Sequence, residues 1–314
     1  MAAPTYLTLA ESAKSMTSAL DMAVHNTFRE SILLNSLSFK TVTGASVDYA
    51  NVTALPTPAT RALNQTFSVS QGQTAPGNEP LKIYGGRIGS DTAGEQMGIL
   101  DPVEQTIWYA RAMRLLLEYD FIYGDKSTDP LQVRGLQDFA ETSTATTDTS
   151  ISAGTTSGGA ALSLRALRDA IDNCRPGATH LVMSDKMRNL LTGASEATGV
   201  SGYVTHEMND FGKRVFSFDG LPIIVMERNH LNQRILDFTE AASTGASTAT
   251  SIYVISHVPE VGYFPGQNGT ITTTPIARTT SQNVREMQWL INTVRVDPRA
   301  VVRIKHIGNL AMTS

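Results

Sequence analysis

Between Val103 and Tyr123 the chain runs for 21 residues without a glycine or proline. Asp101 offers a side-chain acceptor for the unpaired amides of a helix start, and Pro102 suits the first turn. Two apolar stripes follow at helical spacing. One is Val103, Ile107, Ala110, Leu117 and Phe121, and the other is Trp108, Ala112, Leu115, Tyr119 and Ile122. A helix that is apolar on two faces has to lie between partners. At ~1.5 Å per residue it is about 32 Å long, and Gly124 ends it.

The segments before it have little core of their own. Thr8 and Glu11 form a capping-box signature, followed by Leu9, Ala13, Met16, Leu20, Ala23 and Phe28 at helical steps. So narrow a stripe predicts a helical arm that needs something to lie on. Residues 38–94 change texture, with Phe39, Val42, Val47, Tyr49 and Val52 set among Thr, Ser and Gly. Leu55-Pro56-Thr57-Pro58 excludes helix interior and central strand. Thr66–Val69 and Leu81–Tyr84 alternate in strand fashion around a turn-rich stretch from Gly72 to Pro80. Together they predict a two-stranded excursion too slight to be stable alone.

Downstream the texture is α/β. Thr142–Gly159 has 11 Ser or Thr among 18 residues and predicts an exposed loop. Leu164, Leu167 and Ile171 mark a helix stopped by Pro176-Gly177. Leu181-Val182-Met183 reads as a buried strand, with Ser184 capping a helix through Leu191. Val215–Phe218 and Ile223–Met226 flank Asp219-Gly220, a hairpin signal. Ser243–Ser251 reads as a second polar loop before the strand Ile252–Ile255. Alternation returns at Trp289–Val296 and Val301–Ile304.

Composition narrows the function classes. Charged residues are 17% and hydrophobic residues 41% of 314, with a net charge of −4. That balance provides no strongly basic surface for avid nucleic-acid binding. The single cysteine, Cys174, cannot pair within the chain or complete a zinc site, so cytoplasmic synthesis is expected. No apolar run nears the ~18 residues of a membrane helix, and no signal peptide is expected.

Enzymatic motifs fail at the residue level. Gly193-Ala194-Ser195 and Gly199-Val200-Ser201-Gly202 do not complete a nucleophile elbow, and no phosphate-cradling loop or dinucleotide fingerprint is present. His25, His180, His206, His230, His257 and His306 lack paired ligand spacing. Asp125-Lys126-Ser127-Thr128-Asp129 opens like a calcium loop, but Pro130 and Leu136 stand where Gly and Glu are required. Arg111 and Arg114 read as members of a salt-bridged stripe with Glu104 and Glu118. The chain is expected to be no enzyme and to hold no cofactor or metal.

Four segments, in this order, resemble the major capsid proteins of tailed double-stranded DNA phages, whose shared architecture is the Hong Kong 97-type capsid fold. They are Ser31–Phe39, with its pair of leucines and Leu-x-Phe; the long helix ending Phe121-Ile122-Tyr123-Gly124-Asp125, then Pro130 and Gly135-Leu136; Leu181–Ser184 with Gly220–Val225; and Trp289 with Arg295, Pro298, Ala300 and Arg303. The resemblance covers nearly the whole chain. It implies an α+β fold with an N-terminal arm (1–38), an extended loop (39–94) and a peripheral domain with a spine helix (95–135). An axial α/β domain (136–255) follows, then return strands of the peripheral domain with a C-terminal strand (256–314).

The resemblance also implies a structural protein that forms hexamers and pentamers of an icosahedral head, assembled in the host cytoplasm and resident in the virion. Its expected partners are a separate scaffolding protein, a portal protein, a decoration protein and non-specifically packaged double-stranded DNA, with no membrane. Lys82 has no residue context that marks a cross-linking partner. Leu9, Met16, Leu20, Phe28, Leu37, Phe39, Phe67, Val69, Ile83, Tyr84, Arg111 and Arg114 are the expected inter-subunit contacts. An encapsulin-like shell, a phage tail or adhesion protein, and an α/β enzyme with an unrecognised site are the alternatives.

Overall fold

The computed structural model describes residues 5–16, 18–99, 101–142, 149–197, 204–208, 214–279 and 281–313. Strand β1 (Thr5–Thr8) leads into helix α1 (Leu9–Ser12), a 3-10 turn (Ala13–Ser15) and helix α2 (Ala19–Arg29). The capping box forms as expected: Thr8 N donates to the Glu11 carboxylate at 2.8 Å and Glu11 N to Thr8 Oγ1 at 3.3 Å. The single arm helix expected here is broken, because Met16 and Ser18 have extended backbone. Short hydroxyl side chains around this point compete with helical hydrogen bonds and favour termini over interiors.

After α3 (Ile32–Ser36) come β2 (Ser38–Thr41), β3 (Ser46–Ala54), β4 (Gln73–Pro80) and β5 (Lys82–Asp91). β3 and β4 form an antiparallel ribbon registered from Ser46↔Pro80 to Ala54↔Gln73. Here the structure corrects the expectation. The turn-rich stretch is the returning strand, Thr66–Val69 lies outside any strand, and Lys82–Tyr84 pairs elsewhere. A two-stranded ribbon has outer edges with no third strand asking for an N–H, so Pro76 and Pro80 are tolerated.

Helices α4 (Thr92–Gln96) and α5 (Pro102–Tyr123) follow, the second capped by Asp101 Oδ1 accepting from Val103 N at 2.8 Å. The rest of the chain is α6 (Leu136–Glu141), β6 (Ser150–Ser152), α7 (Leu164–Asn173), β7 (His180–Ser184), α8 (Asp185–Ala197), β8 (Val204–Met208) and β9 (Arg214–Phe218). Then come β10 (Leu221–Met226), β11 (Ala249–Ile255), β12 (Tyr263–Gln267), β13 (Thr272–Thr273), β14 (Ala277–Arg278), β15 (Gln282–Arg295) and β16 (Val301–Gly308).

Two sheets organise these strands. The first runs β1-β2-β12-β15, and the long β15 takes β5 along its other edge from Gln282↔Asp91 to Ile291↔Lys82. Helix α5 lies on this sheet. Its approach is close at Gly86, where a Cβ would stand 2.2 Å from the Tyr109 hydroxyl. A side chain at position 86 would have to push the Tyr109 ring aside.

The second sheet runs β6-β16-β11-β7-β10-β9-β8. Its strands obey the two-residue period. Val182, Ile224, Tyr253 and Ile255 face the core shared with α5, while Leu181, Met183, Ile223 and Val254 face a separate core with Leu167 of α7 and Met187 and Leu191 of α8. The expected hairpin is present, with Asp219 and Gly220 at φ 51° and 79°. Residues 256–314 divide between the sheets, since β12 to β15 stay in the first and β16 crosses to pair with β11 and β6.

Both polar loops are less loop-like than expected. Ser150–Ser152 forms β6 beside β16, whereas residues 143–148 lie outside the described set. β11 begins at Ala249, so Thr250 and Ser251 are buried. Both have partners: Thr250 Oγ1 donates to the Leu236 carbonyl at 2.6 Å, and Arg303 Nε donates to Ser251 Oγ at 3.0 Å, with Nη2 paired to Glu240 at 3.0 Å and Nη1 to Glu141. Buried polar groups with partners do not need to form a loop.

Candidate interaction surfaces

The expected contact residues separate into two groups. Leu9, Phe28, Leu37, Phe39 and Tyr84 are buried within their own chain. Phe28 and Phe39 both pack on Trp289, each with ring centroids 5.5 Å apart. Tyr84 donates from its hydroxyl to Asp120 Oδ2 at 2.7 Å and accepts from Val133 N at 3.0 Å. These side chains hold the arm, β2 and β5 against α5 and β15, and none has surface left for a neighbour in this conformation. Met16 and Leu20 are half-buried.

Arg114 belongs with them. It is buried, and its Nη1 donates to the Thr27 carbonyl at 2.9 Å and to Glu30 at 2.7 Å, with Glu118 3.8 Å from Nε. The solvent-facing stripe expected for Arg114 is therefore corrected: this arginine ties arm helix α2 to α5. Burial raises the Glu118 carboxyl above its ordinary range, opposed by a hydrogen bond from Ser31 and by Arg114. Arg111 is exposed.

Phe67 (59% exposed), Val69 (100%) and Ile83 (72%) form the second group. Phe67 and Val69 sit on the loop between β3 and β4, where Leu55 and Leu63 are equally uncovered. Arg61 stacks on Phe67 at 5.2 Å, which shields one face of the ring. Sequence reasoning did not single out Leu55 or Leu63 as contacts, although apolar residues near a Pro-x-Pro with no core to join were the available signal. Ile83 lies on the side of β5 opposite α5. There Ile83, Gly85 and Gly89 stand across from Leu290, Gln288 and Val284 of β15, with the exposed Arg87 and Glu286 facing each other between the two glycines.

The second stripe of α5 is covered only in part. Ile122 is buried and Leu115 and Tyr119 are half-buried, whereas Trp108 and Ala112 are open, as is Val103 at the start of the first stripe. Met97 and Ile99, just before the helix, extend this apolar area. The expected sandwich is thus closed on one face from Ala110 onward and uncovered along the first half of the other.

The ribbon is clamped at its base. Glu79 of β4 is buried and pairs with Lys126 at 3.2 Å and Arg134 at 3.5 Å. Asn292 Nδ2 donates to the Pro80 carbonyl at 2.7 Å, and Lys82 Nζ to the Pro130 carbonyl at 2.5 Å. Val47 packs over Gly266 in a small core with Phe264, Val294 and Val296. Beyond that base the ribbon buries almost nothing.

Among the described residues no group of three or more His, Cys, Asp or Glu is placed to hold a metal ion, and no helix is long and apolar enough to cross a membrane. Cys174 is buried and burial pushes its thiol up to about 12, so it packs as a small hydrophobe. A cleft of about 400 Å³ opens between α2–α3 and the second sheet, lined by Ile32, Asn35, His180, Pro222 and Ile223 among others.

No family model and no curated protein matches the sequence. Solved structures do match the fold. The holo-SrpI encapsulin complex from Synechococcus elongatus PCC 7942 aligns with TM-score 0.63 and 10% identity over 90% of this chain and 89% of that one. The capsid of the empty GTA particle aligns with TM-score 0.58 and 12% identity over 87% and 88%. The capsid of Myoviridae Phage XM1 aligns with TM-score 0.56 and 13% identity over 88% and 91%. The architecture is that of shell and capsid proteins. The chain has the Hong Kong 97-type capsid fold.

Proposed function

We propose that this chain is a shell-forming protein, and more specifically the major capsid protein of a tailed double-stranded DNA phage. The observation that carries the reading is the ribbon. Its base is fixed to the spine helix exit by Glu79, while its tip exposes Leu55, Leu63, Phe67 and Val69 with no core to enter. A soluble monomer gains nothing from such a projection, whereas a subunit that lays it over a neighbour buries it. The outer face of β5 is the complementary surface, where the exposed Ile83 lies beside Gly85 and opposite Leu290, with Arg87 and Glu286 at its far side. Contacts of this kind, different on the two partners, generate rings, and rings of six and five close an icosahedron.

Each contact can be weak when many act together in a closed shell. The net charge of −4 suits a wall that encloses DNA without gripping it. The scaffolding, portal and decoration proteins belong to this reading, as does residence in the virion. An encapsulin-like compartment is the second reading, favoured by the likeness to the Synechococcus shell.

Sedimentation and electron microscopy of one native preparation test both. Hollow megadalton particles establish a shell, and DNA or protein inside separates the two readings. A persistent monomer, with scaffolding protein supplied, refutes both and favours an enzyme.

A further inference from the structure

The chain passes from the arm into β2 at Ser38, and one imidazole holds that residue. His257 Nδ1 lies 3.0 Å from the Tyr263 carbonyl, so this nitrogen must carry a hydrogen and donate. His257 Nε2 lies 2.9 Å from Ser38 N, a backbone amide that can only donate. The ring is therefore neutral, with Nε2 as acceptor. A proton on Nε2 would face the Ser38 amide donor to donor.

The surroundings offer the cation little. His180 of β7 is the neighbouring ring, with centroids 6.3 Å apart. Thr179 Oγ1 joins the two, donating to the Ile255 carbonyl at 3.0 Å while lying 2.7 Å from His257 N and 3.0 Å from His180 Nδ1. On the arm side, Arg29 and Glu30 line the cleft that His180 also lines, and Glu30 is paired with Arg114. On the turn after His257, Glu260 is paired with Lys40 of β2 at 3.6 Å. Desolvation holds His257 below the ordinary histidine value, opposed by its bond to the Tyr263 carbonyl. Desolvation and then the His257 ring lower His180 to about 4.

We propose that His257 is an acid-sensitive catch on the joint between the arm and the loop strand: protonation of Nε2 expels the Ser38 amide and loosens the chain on both sides of it. The step moves one proton from solvent to Nε2 and breaks one hydrogen bond. The Ser38 hydroxyl, 2.9 Å from the same nitrogen, can accept the new proton and softens the effect. The catch is a property of the folded chain and does not depend on shell formation.

The sign follows from the neutral ring. A histidine whose folded pKa lies below its unfolded value contributes stability that is intact above about 6.5 and drains as pH falls towards the folded value.

The molecule carries its own reporter. Trp289 touches Phe28 on the arm side of Ser38 and Phe39 on the strand side, and Trp108 is the only other tryptophan. In a Trp108→Phe background, emission of the full-length protein is followed between pH 7.5 and 4, with far-ultraviolet dichroism as the check on global folding. The expected result is a reversible red shift with its midpoint below 6.5 and unchanged dichroism.

His257→Gln, whose amide oxygen replaces Nε2 as a non-titrating acceptor, abolishes the shift. His180→Gln retains it, and Ser38→Ala, which removes the hydroxyl that can accept from the protonated ring, moves its midpoint to lower pH. Should His257→Gln fail to fold, hydrogen exchange on the unaltered chain decides. The Ser38 amide protection factor then falls about tenfold across the transition, the loss of roughly one hydrogen bond. An unshifted Trp289, a shift that survives in His257→Gln, or pH-independent Ser38 protection overturns the proposal.

Discussion

Replacing Arg114 with leucine measures what fastens the arm. The guanidinium is buried, donates to the Thr27 carbonyl and Glu30, and is the cation beside Glu118. Glu30 contributes little, since its side chain is 62% exposed and water replaces the lost partner. The Thr27 bond accounts for about 1 kcal/mol. Glu118 is the larger loss, because its side chain is only 10% exposed and it would keep its charge without a cation. Removing one member of a buried pair costs ~3–5 kcal/mol, and the 3.8 Å separation places this pair at the lower end. Arg114→Leu should therefore destabilise by about 3 kcal/mol at pH 8 in urea unfolding followed through Trp289.

The loss should shrink in acid. Burial raises the folded pKa of Glu118, so its folded state takes up protons first, and the stability this lends is complete below about 4.5 and disappears as pH rises through the raised value. Without Arg114 that rise grows, so the two proteins differ most at high pH. Adding Glu118→Gln to Arg114→Leu should restore about 2 kcal/mol, because a neutral amide does not require the cation. A cost below about 1 kcal/mol at pH 8, or a double variant no more stable than the single one, refutes the assignment of Arg114 as the arm's anchor.

Two further substitutions separate packing from association. Gly86→Ala should cost about 1–3 kcal/mol in the same assay, since the new methyl meets the Tyr109 hydroxyl, and Tyr109→Phe should recover part of it; equal stability of Gly86→Ala and the parent would show that α5 can retreat. Val69→Asp should leave the unassembled chain within ~0.5 kcal/mol of the parent while abolishing large particles in sedimentation, and particles formed at parental yield would remove the loop tip from the proposed interface.

What the sequence made legible was whatever depended on local chemistry. The Thr8–Glu11 box, the Asp101-Pro102 start, the Ser184 cap and the Asp219-Gly220 turn each rest on a few neighbouring residues, and each is present. β4 was hidden because its ladder comes from β3 and its side chains bury little, so no apolar alternation marks it. The contact residues mixed two populations for a related reason. Periodicity tells which face of a segment is apolar, not which chain covers it. Phe28 and Phe67 are alike as letters, and only the position of Trp289 decides that the first is covered from within.

That division has a mechanical consequence for the proposed shell. The same short stretch after the spine helix receives the ribbon through Lys126 and Arg134, β5 through the Pro130 carbonyl, and Tyr84 through Val133 N. Arg134 also pairs with Asp138 of α6 and stacks on Phe139, which lies against Tyr263 of the first sheet. A force on the loop tip therefore arrives at residues 124–139 and reaches both the end of α5 and β12. The arm is fastened to α5 by Arg114. Its other hold, His257 behind Ser38, donates to the carbonyl of Tyr263, the residue on which Phe139 lies, so the two routes meet there. Displacing the loop therefore strains the joint at Ser38 while Arg114 keeps α2 on α5. A subunit that must fit both five-fold and six-fold rings can re-aim its loop about that joint with the arm helix still anchored.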